Sequence, residues 1–358
     1  INVLDKEART SREYIFAEAY QHDFESVEAS LKHQIVISKP WKLILTNPDY
    51  QAEKGPELYN LDTDPFEWEN RAEENPEIVA TLTREIEKGW MKPDNGRPDP
   101  PNILFLLADD LGYGELGCYG QEVIETPELD NLAEIGMRFT NFYAGSPVCS
   151  PSRAILMTGI SSSYNQVRGN NGWLPERESF GRITIRKTDL TLGEMLRDAG
   201  YQTAFIGKWH IDDQNDLSTW AFARGFDYAI QEQWGKTDEG MMYDEQMHWL
   251  NAKEDSIYYH ETRWNCKDEF RTELAFDWLD NHMDRDKPFF LFMSYRAPHA
   301  HERYIHNKEI YADRGWPEVE RRHAAKITLL DGQIGRMLRK LEQMGKLDNT
   351  LVLFTSDN

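Results

Sequence analysis

The sequence predicts an α/β fold, a doubly wound, mostly parallel sheet flanked by helices, with a small α+β subdomain ahead of it. Three observations carry this expectation. Continuous apolar runs such as Asn102 to Ala108 and Phe289 to Met293 have the pattern of strands buried on both faces. These runs alternate with helical segments whose apolar residues recur by threes and fours. Each run also ends in polar residues of a kind that carries chemistry, and open α/β sheets bind ligands beyond the carboxyl ends of their strands.

The first 93 residues read as the small α+β subdomain. Tyr14 to Ala17, Gln34 to Ile37, Trp41 to Leu45 and Glu57 to Leu61 are β-prone runs, punctuated by Pro40, Asn47 and Pro48. Asn75 is placed to cap a helix that starts at Pro76 and runs to about Trp90, with Ile78, Val79, Leu82 and Ile86 on one face. Residues 94–101, with Gly96, Pro98 and Pro100, form a proline-rich linker. Residues 102–358 form the larger α/β domain.

That domain opens with the strand 102–108, which ends in Asp109-Asp110. A helix follows from Thr126-Pro127 to Gly136 with Leu129, Leu132 and Ile135 facing inward, and Phe139 to Tyr143 is the next expected strand. It leads to Cys149-Ser150-Pro151-Ser152-Arg153, which opens a helix closed by Thr158-Gly159. Thr191 and Glu194 form a capping box on the next helix, and the strand Thr203 to Ile206 runs into Gly207-Lys208-Trp209-His210. A helix around Phe270 to Met283 precedes the strand Phe289 to Ser294, which delivers Pro298-His299-Ala300-His301. A long helix bearing Ala324, Ile327, Leu330, Ile334, Met337, Leu338 and Leu341 precedes Thr350 to Phe354, ending in Ser356-Asp357-Asn358.

The formal net charge of −22 argues against a nucleic-acid or anionic-membrane partner, so an anionic substrate must be held by local cations. Three cysteines, Cys118, Cys149 and Cys266, do not make a disulfide framework. No apolar run is long enough to span a bilayer. Ile1 opens the sequence without a methionine or a signal-like segment, so a targeting sequence upstream is an expectation.

Asp109, Asp110, Asp357 and Asn358 are hard oxygen donors, suited to Ca²⁺ or Mg²⁺. Lys208, His210, His299 and Arg153 are cations or proton carriers. Cys149 stands at a helix start, where backbone N–H groups and the helix dipole favour an anion. A lone cysteine is also commonly a buried, inert thiol. A tyrosine-phosphatase reading requires arginine six residues after the cysteine, where Ile155 stands.

Cys-Ser-Pro-Ser-Arg, continued by Ala154 to Gly159, resembles the signature of the formylglycine-dependent (type I) sulfatases of the alkaline phosphatase superfamily. Gly-Lys-Trp-His at 207–210, Pro-His at 298–299 and Ser-Asp-Asn at 356–358 extend the resemblance over residues 102–358. It implies a sulfatase that hydrolyses an aryl or carbohydrate sulfate ester through a formylglycine, made by oxidising Cys149 after synthesis. The implied metal ligands are Asp109, Asp110, Cys149, Asp357 and Asn358, and the implied metal is Ca²⁺, with Mg²⁺ as an alternative. Arg153 would steady the aldehyde hydrate, and Lys208 and Arg153 would neutralise the sulfate oxygens. His299 would protonate the departing alcohol, with His301 competing for that role, and His210 would take a proton in the second step. The implied partners are a sulfated small molecule or glycan and a formylglycine-generating maturation enzyme, in a periplasmic or secreted setting. Phosphonate monoester and phosphodiester hydrolases of the same superfamily can share the signature.

Two departures stand out. The family's second lysine, downstream of Ser-Asp-Asn, has no counterpart in this sequence, which leaves an inactive fragment as an alternative. The stretch Glu-Leu-Tyr-Asn-Leu-Asp-Thr-Asp-Pro at 57–65 resembles the family's C-terminal subdomain, yet here it comes first. A window cut from a tandem pair of units accounts for that order better than a circular permutation.

Overall fold

The computed structural model describes residues 15–20, 31–48, 51, 53–88, 100–175, 178–237, 240–252, 256–258, 266–299 and 310–358. They fall into two compact units that divide close to residue 98. The expected linker at 94–101 lies mostly outside the described residues, as does His301.

In the smaller unit, β1 (Ile15–Tyr20), β2 (Leu31–Ser38), β3 (Trp41–Thr46) and β4 (Glu57–Asn60) form an antiparallel meander in that order. Helix α1 (Pro76–Lys88) lies on one face. Its Leu82 and Ile86 join Val36, Leu43 and Leu58 in a small core, as alternation along the strands and a spacing of four on the helix require. Asn70 ties the turn after β4 back to that strand, its Oδ1 accepting from the backbone N–H groups of Leu58 and Ala72.

The larger unit is built on a seven-stranded sheet. Its parallel part runs through β8 (Gln202–Gly207), β12 (Phe289–Pro298), β5 (Asn102–Asp109) and β13 (Thr350–Ser356), in that spatial order. β9 (Tyr228–Thr237) adds parallel to β8, and β10 (Gly240–Leu250) and β11 (Ser256–Tyr258) extend the edge antiparallel. A separate two-stranded hairpin joins β6 (Gly172–Leu174) to β7 (Ser179–Gly181).

Alternate residues of the central strands feed two cores. On one face Leu104, Leu106, Ile206, Leu291 and Met293 pack with residues of α2 (Pro127–Ile135), α5 (Lys267–Asn281) and α6 (Glu318–Gln343), among them Leu129, Trp278, Leu279, Ile327 and Ile334. On the other, Phe105, Phe205 and Phe292 line up across three strands, with Phe105 and Phe292 stacked at 4.8 Å. Ala154 and Met157 of α3 (Cys149–Thr158) cover that face together with Phe226. Burial on both faces is why these strands read as unbroken apolar runs.

Several expectations are corrected. Residues 139–143 form no strand: Phe139, Phe142 and Tyr143 are exposed, and a β-prone run without a pairing partner gains nothing by extending. Ile135, at the last position of α2, is exposed, while Leu129 is buried as expected. Thr126 does not cap α2 with its own side chain. Its hydroxyl donates to Asp130, and the Asp331 carboxylate from α6 accepts from the N–H groups of Glu128 and Leu129 instead. Helix α4 (Leu192–Asp198) does carry the Thr191/Glu194 capping box.

Candidate active site

The carboxyl ends of β5, β8, β12 and β13 sit side by side, so the polar residue after each strand reaches a common place. Close approach of β8 to β12 depends on Gly207. At its φ of 119°, a Cβ would lie 2.0 Å from the Ser294 carbonyl oxygen, so no other residue fits. The chain then turns, and Lys208 points back to β5.

Buried Lys208 donates to both oxygens of Asp109, at 2.8 and 2.6 Å. Arg153, buried in the first turns of α3, donates through Nε to Asp357 at 2.8 Å and through Nη1 to the Lys208 carbonyl and Ser294 hydroxyl at 2.7 and 2.6 Å. Its Nη2 lies 3.5 Å from Asp109. One guanidinium therefore braces four strands. Asp357 Oδ1 accepts from the backbone N–H of Asp110 at 3.1 Å, Ser356 Oγ from that of Leu111 at 2.9 Å, and Asn358 Nδ2 donates to Asp110 Oδ1 at 2.8 Å.

Cys149 begins α3 and is buried, its Sγ 3.4 Å from Asn170 Oδ1, which also accepts from the Ser150 N–H. The Ser150 hydroxyl lies 3.2 Å from His210 Nδ1 and donates to the His210 carbonyl at 2.8 Å. His299 Nε2 stands 3.6 Å from Asp110 Oδ2. Both Asp110 and His210 have positive φ, near 65°, a costly backbone state for residues other than glycine.

Charge in this pocket is strongly redistributed. Burial opposes ionisation of Asp109, yet the charges of Lys208 and Arg153 outweigh it and hold the carboxyl well below the usual range. Burial pushes Asp357 up to about 6, with the charge of Asp109 adding to the effect. Burial, followed by Lys208, Arg182 and Arg153, holds His210 well below the ordinary imidazole value, so it is neutral at pH 7. His299 is lowered to about 4, first by burial and then by Lys208 and Arg296, against the opposite pull of Asp109 and Asp110.

The donors suit a hard divalent cation. Ligand atoms of Asp109, Asp110 and His299 lie within 4.8 Å of one another. Asn358 Oδ1 is a buried acceptor without a hydrogen-bond donor among the described residues. An amide oxygen so placed beside carboxylates is the kind of ligand Ca²⁺ or Mg²⁺ takes.

Residues 101–358 match the family model described as Sulfatase. The chain belongs to the sulfatase family. N-acetylgalactosamine-6-sulfatase of Mus musculus is 31% identical over 277 residues, covering 74% of this chain and 51% of that protein. Arylsulfatase G of Rattus norvegicus is 30% identical over 287 residues, covering 73% and 52%. The crystal structure of Ps i-CgsB in complex with k-i-k-neocarrahexaose has a TM-score of 0.61 at 25% identity, covering 73% of this chain and 59% of that one. This sulfatase-family chain spans about half the length of the curated relatives it matches.

The structure thus gathers Asp109, Asp110, Arg153, Lys208, Asp357 and Asn358 into one linked cluster, with His299 against Asp110 and with Cys149 and His210 joined through Ser150. Sequence reasoning missed Asn170, Ser294 and Ser356 as contributors. Each is a single polar residue without a spacing pattern, although Ser294 interrupts an apolar run and Ser356 adjoins a singled-out Asp-Asn pair. The tryptophans between residues 173 and 264 occupy different environments. Trp220 is core, packed 5.3 Å from Trp249, whereas Trp173 is exposed on the β6–β7 hairpin against Phe180. The side chain of Trp234 and all of Trp264 lie outside the described residues.

Proposed function

We propose that the protein carrying this chain hydrolyses a sulfate ester, releasing an alcohol and inorganic sulfate. The observation that carries the reading is the pair of buried cations, Lys208 and Arg153, held over Asp109 and Asp357 beside the helix that begins at Cys149. Two fixed cations in a dry site favour a tetrahedral oxyanion that gains charge as its ester bond breaks.

Position 149 is proposed to carry formylglycine, whose hydrate supplies a nucleophile and, through its second hydroxyl, an exit that restores the aldehyde. Asp109, Asp110, Asp357 and Asn358 would hold a divalent cation, Ca²⁺ or Mg²⁺, supplying Lewis-acid polarisation, with position 149 as the further ligand. Lys208 and Arg153 orient the equatorial sulfate oxygens. His210 is neutral for the reasons above, and because the Ser150 hydroxyl gives its proton to the His210 carbonyl, Nδ1 donates to that hydroxyl and Nε2 is the nitrogen left to accept a proton. His299 is assigned to protonate the leaving alcohol. Burial, then Lys208 and Arg296, lower the pKa of His299, and the negative charge of an ester seated beside Lys208 opposes that lowering and shifts His299 toward its protonated form.

The names of the relatives favour a sulfated carbohydrate over a small aryl sulfate. The β6–β7 hairpin supports this. It follows directly from Asn170, which touches Cys149, and leads into Arg182, which donates to Asp212 at 2.9 Å, two residues past His210. Trp173 and Phe180 thus offer exposed rings on a hairpin rooted at both flanks of the site. A periplasmic or secreted setting and a maturation enzyme that oxidises Cys149 belong to the same proposal. Among the described residues no helix is long and apolar enough to cross a membrane.

The test is sulfate release from a chromogenic aryl sulfate, and from a sulfated monosaccharide, with Ca²⁺ and co-expression of a formylglycine-generating enzyme. Turnover should vanish in Cys149→Ala, and Cys149→Ser should yield at most one equivalent of alcohol, because a plain serine ester has no second hydroxyl to expel sulfate. Sustained turnover by the serine variant, or faster hydrolysis of the matching phosphate esters, would overturn the reading.

A further inference from the structure

The segment that carries His299 is held by charged side chains from three other elements. Arg296 and Ala297 have N–H groups that point away from the pocket, toward the first turn of α5. The Asp268 carboxylate there is fully buried and accepts both, from Arg296 at 3.0 and 3.2 Å and from Ala297 at 2.8 Å. Asp268 is in turn fixed by Arg271, one turn along the same helix. Arg271 reaches Glu232 of β9 at 2.6 Å, and the guanidinium of Arg296 closes the ring on the other oxygen of Glu232. On the far side of the turn Lys326, a buried lysine of α6, donates from Nζ to the His299 carbonyl at 3.0 Å. The turn closes on itself through His299 N–H to the Arg296 carbonyl at 2.9 Å.

Burying two lone carboxylates and three cations behind a sheet is expensive unless each is matched and hydrogen-bonded. An apolar filling of equal volume would serve stability as well. What the ionic arrangement adds is direction: it grips backbone groups immediately before and at His299 and leaves the imidazole little choice of position.

We infer that Asp268 and Lys326 are positioning residues that clamp the Arg296–His299 turn from its two sides, so that His299 meets the leaving-group oxygen of the ester. The inference rests on the proposed role of His299 as proton donor. Such a clamp acts only on the step that needs the proton. An alkyl or sugar alcohol leaves poorly without protonation, whereas an activated phenol leaves without it. Displacing a catalytic group by about 1 Å can cost on the order of 100-fold in rate.

The experiment compares kcat for an activated nitrophenyl sulfate and for a sulfated monosaccharide in wild type, Lys326→Met, Lys326→Arg, Asp268→Asn and His299→Ala. Lys326→Met and Asp268→Asn should lose about tenfold or more on the sugar sulfate and roughly threefold or less on the activated ester, within the range general acid catalysis supplies. Lys326→Arg, which keeps a donor, should recover most of the loss. A uniform loss on both substrates, or none, would sink the clamp provided that His299→Ala does discriminate. If His299→Ala fails to discriminate, the proton-donor assignment falls instead. Amide hydrogen exchange decides the clamp independently of activity. In Asp268→Asn the amides of Arg296 and Ala297 should exchange at least about tenfold faster, with Phe289 to Met293 unchanged, as expected of a local opening. Unchanged protection at 296 and 297 in a folded variant would overturn it.

Discussion

Arg153 shows how much one side chain decides at this site. Its planar fork meets Asp357, the Lys208 carbonyl and the Ser294 hydroxyl at once, which a lysine's single ammonium cannot do. Arg153→Lys should therefore destabilise the larger unit by about 3–5 kcal/mol, in the range for breaking a buried charge network, and lower activity with it. Urea denaturation followed by tryptophan fluorescence checks the first part; a midpoint equal to wild type would show that the fork is dispensable. The residues that sequence reasoning found here share one property. Cys149, Lys208, His299 and Asp357 each follow or adjoin a turn of recognisable chemistry at the end of a predictable element. Asn170 and Ser294 escaped because their importance comes only from what the fold brings opposite them, and His301 lies outside the described residues.

Among the elements, helix α2 illustrates a cap supplied from a distance. Asp331 of α6 accepts the N–H groups of Glu128 and Leu129, and burial, followed by the charges of Glu128 and Asp130, raises its carboxyl to about 6. The folded state thus holds this proton to higher pH than an unfolded chain, where an aspartate titrates near ~3.9. The stability linked to Asp331 is fully present below about pH 4 and is lost as pH rises through about 6. Asp331→Asn, which cannot ionise, should flatten that fall, narrowing the difference in melting temperature between pH 4.5 and pH 7.5. An unaltered pH slope would refute the assignment. The central strands were legible because burial on both faces leaves an unmistakable apolar run. β9 and β10 were not, since Gln231, Glu232, Gln233 and Glu245 interrupt any pattern, and one of them, Glu232, is polar inside because it anchors arginines. Phe139 to Tyr143 shows the opposite error, a strand-like composition without a sheet to join.

For the whole molecule, an acidic chain of net charge −22 concentrates several carboxylates where a cation is expected. Adding Ca²⁺ in about 100-fold excess over its dissociation constant should stabilise the folded state by about 2.7 kcal/mol, visible as a rise of a few degrees in melting temperature. A chelator should reverse it, and Asp110→Asn should blunt it. A melting temperature indifferent to Ca²⁺ and Mg²⁺ would exclude both as residents. The fold class was readable from the sequence at this scale, since alternating helices and buried strands allow few other arrangements. The antiparallel edge and the β6–β7 hairpin were not, because their pairing is set by partners distant from any local signal.

The four strand ends that frame the pocket come from residues 109, 207, 298 and 356, so nearly the whole larger unit must be assembled before they meet. Contacts so far apart in sequence form late, after the long intervening loops have closed. Cys149 is already shut in once they have formed, its sulfur facing Asn170. The proposed conversion of that thiol by a maturation enzyme is therefore a matter of timing. It must take place on the nascent or still-open chain, in the interval between synthesis and closure, and a chain that folds first has missed it.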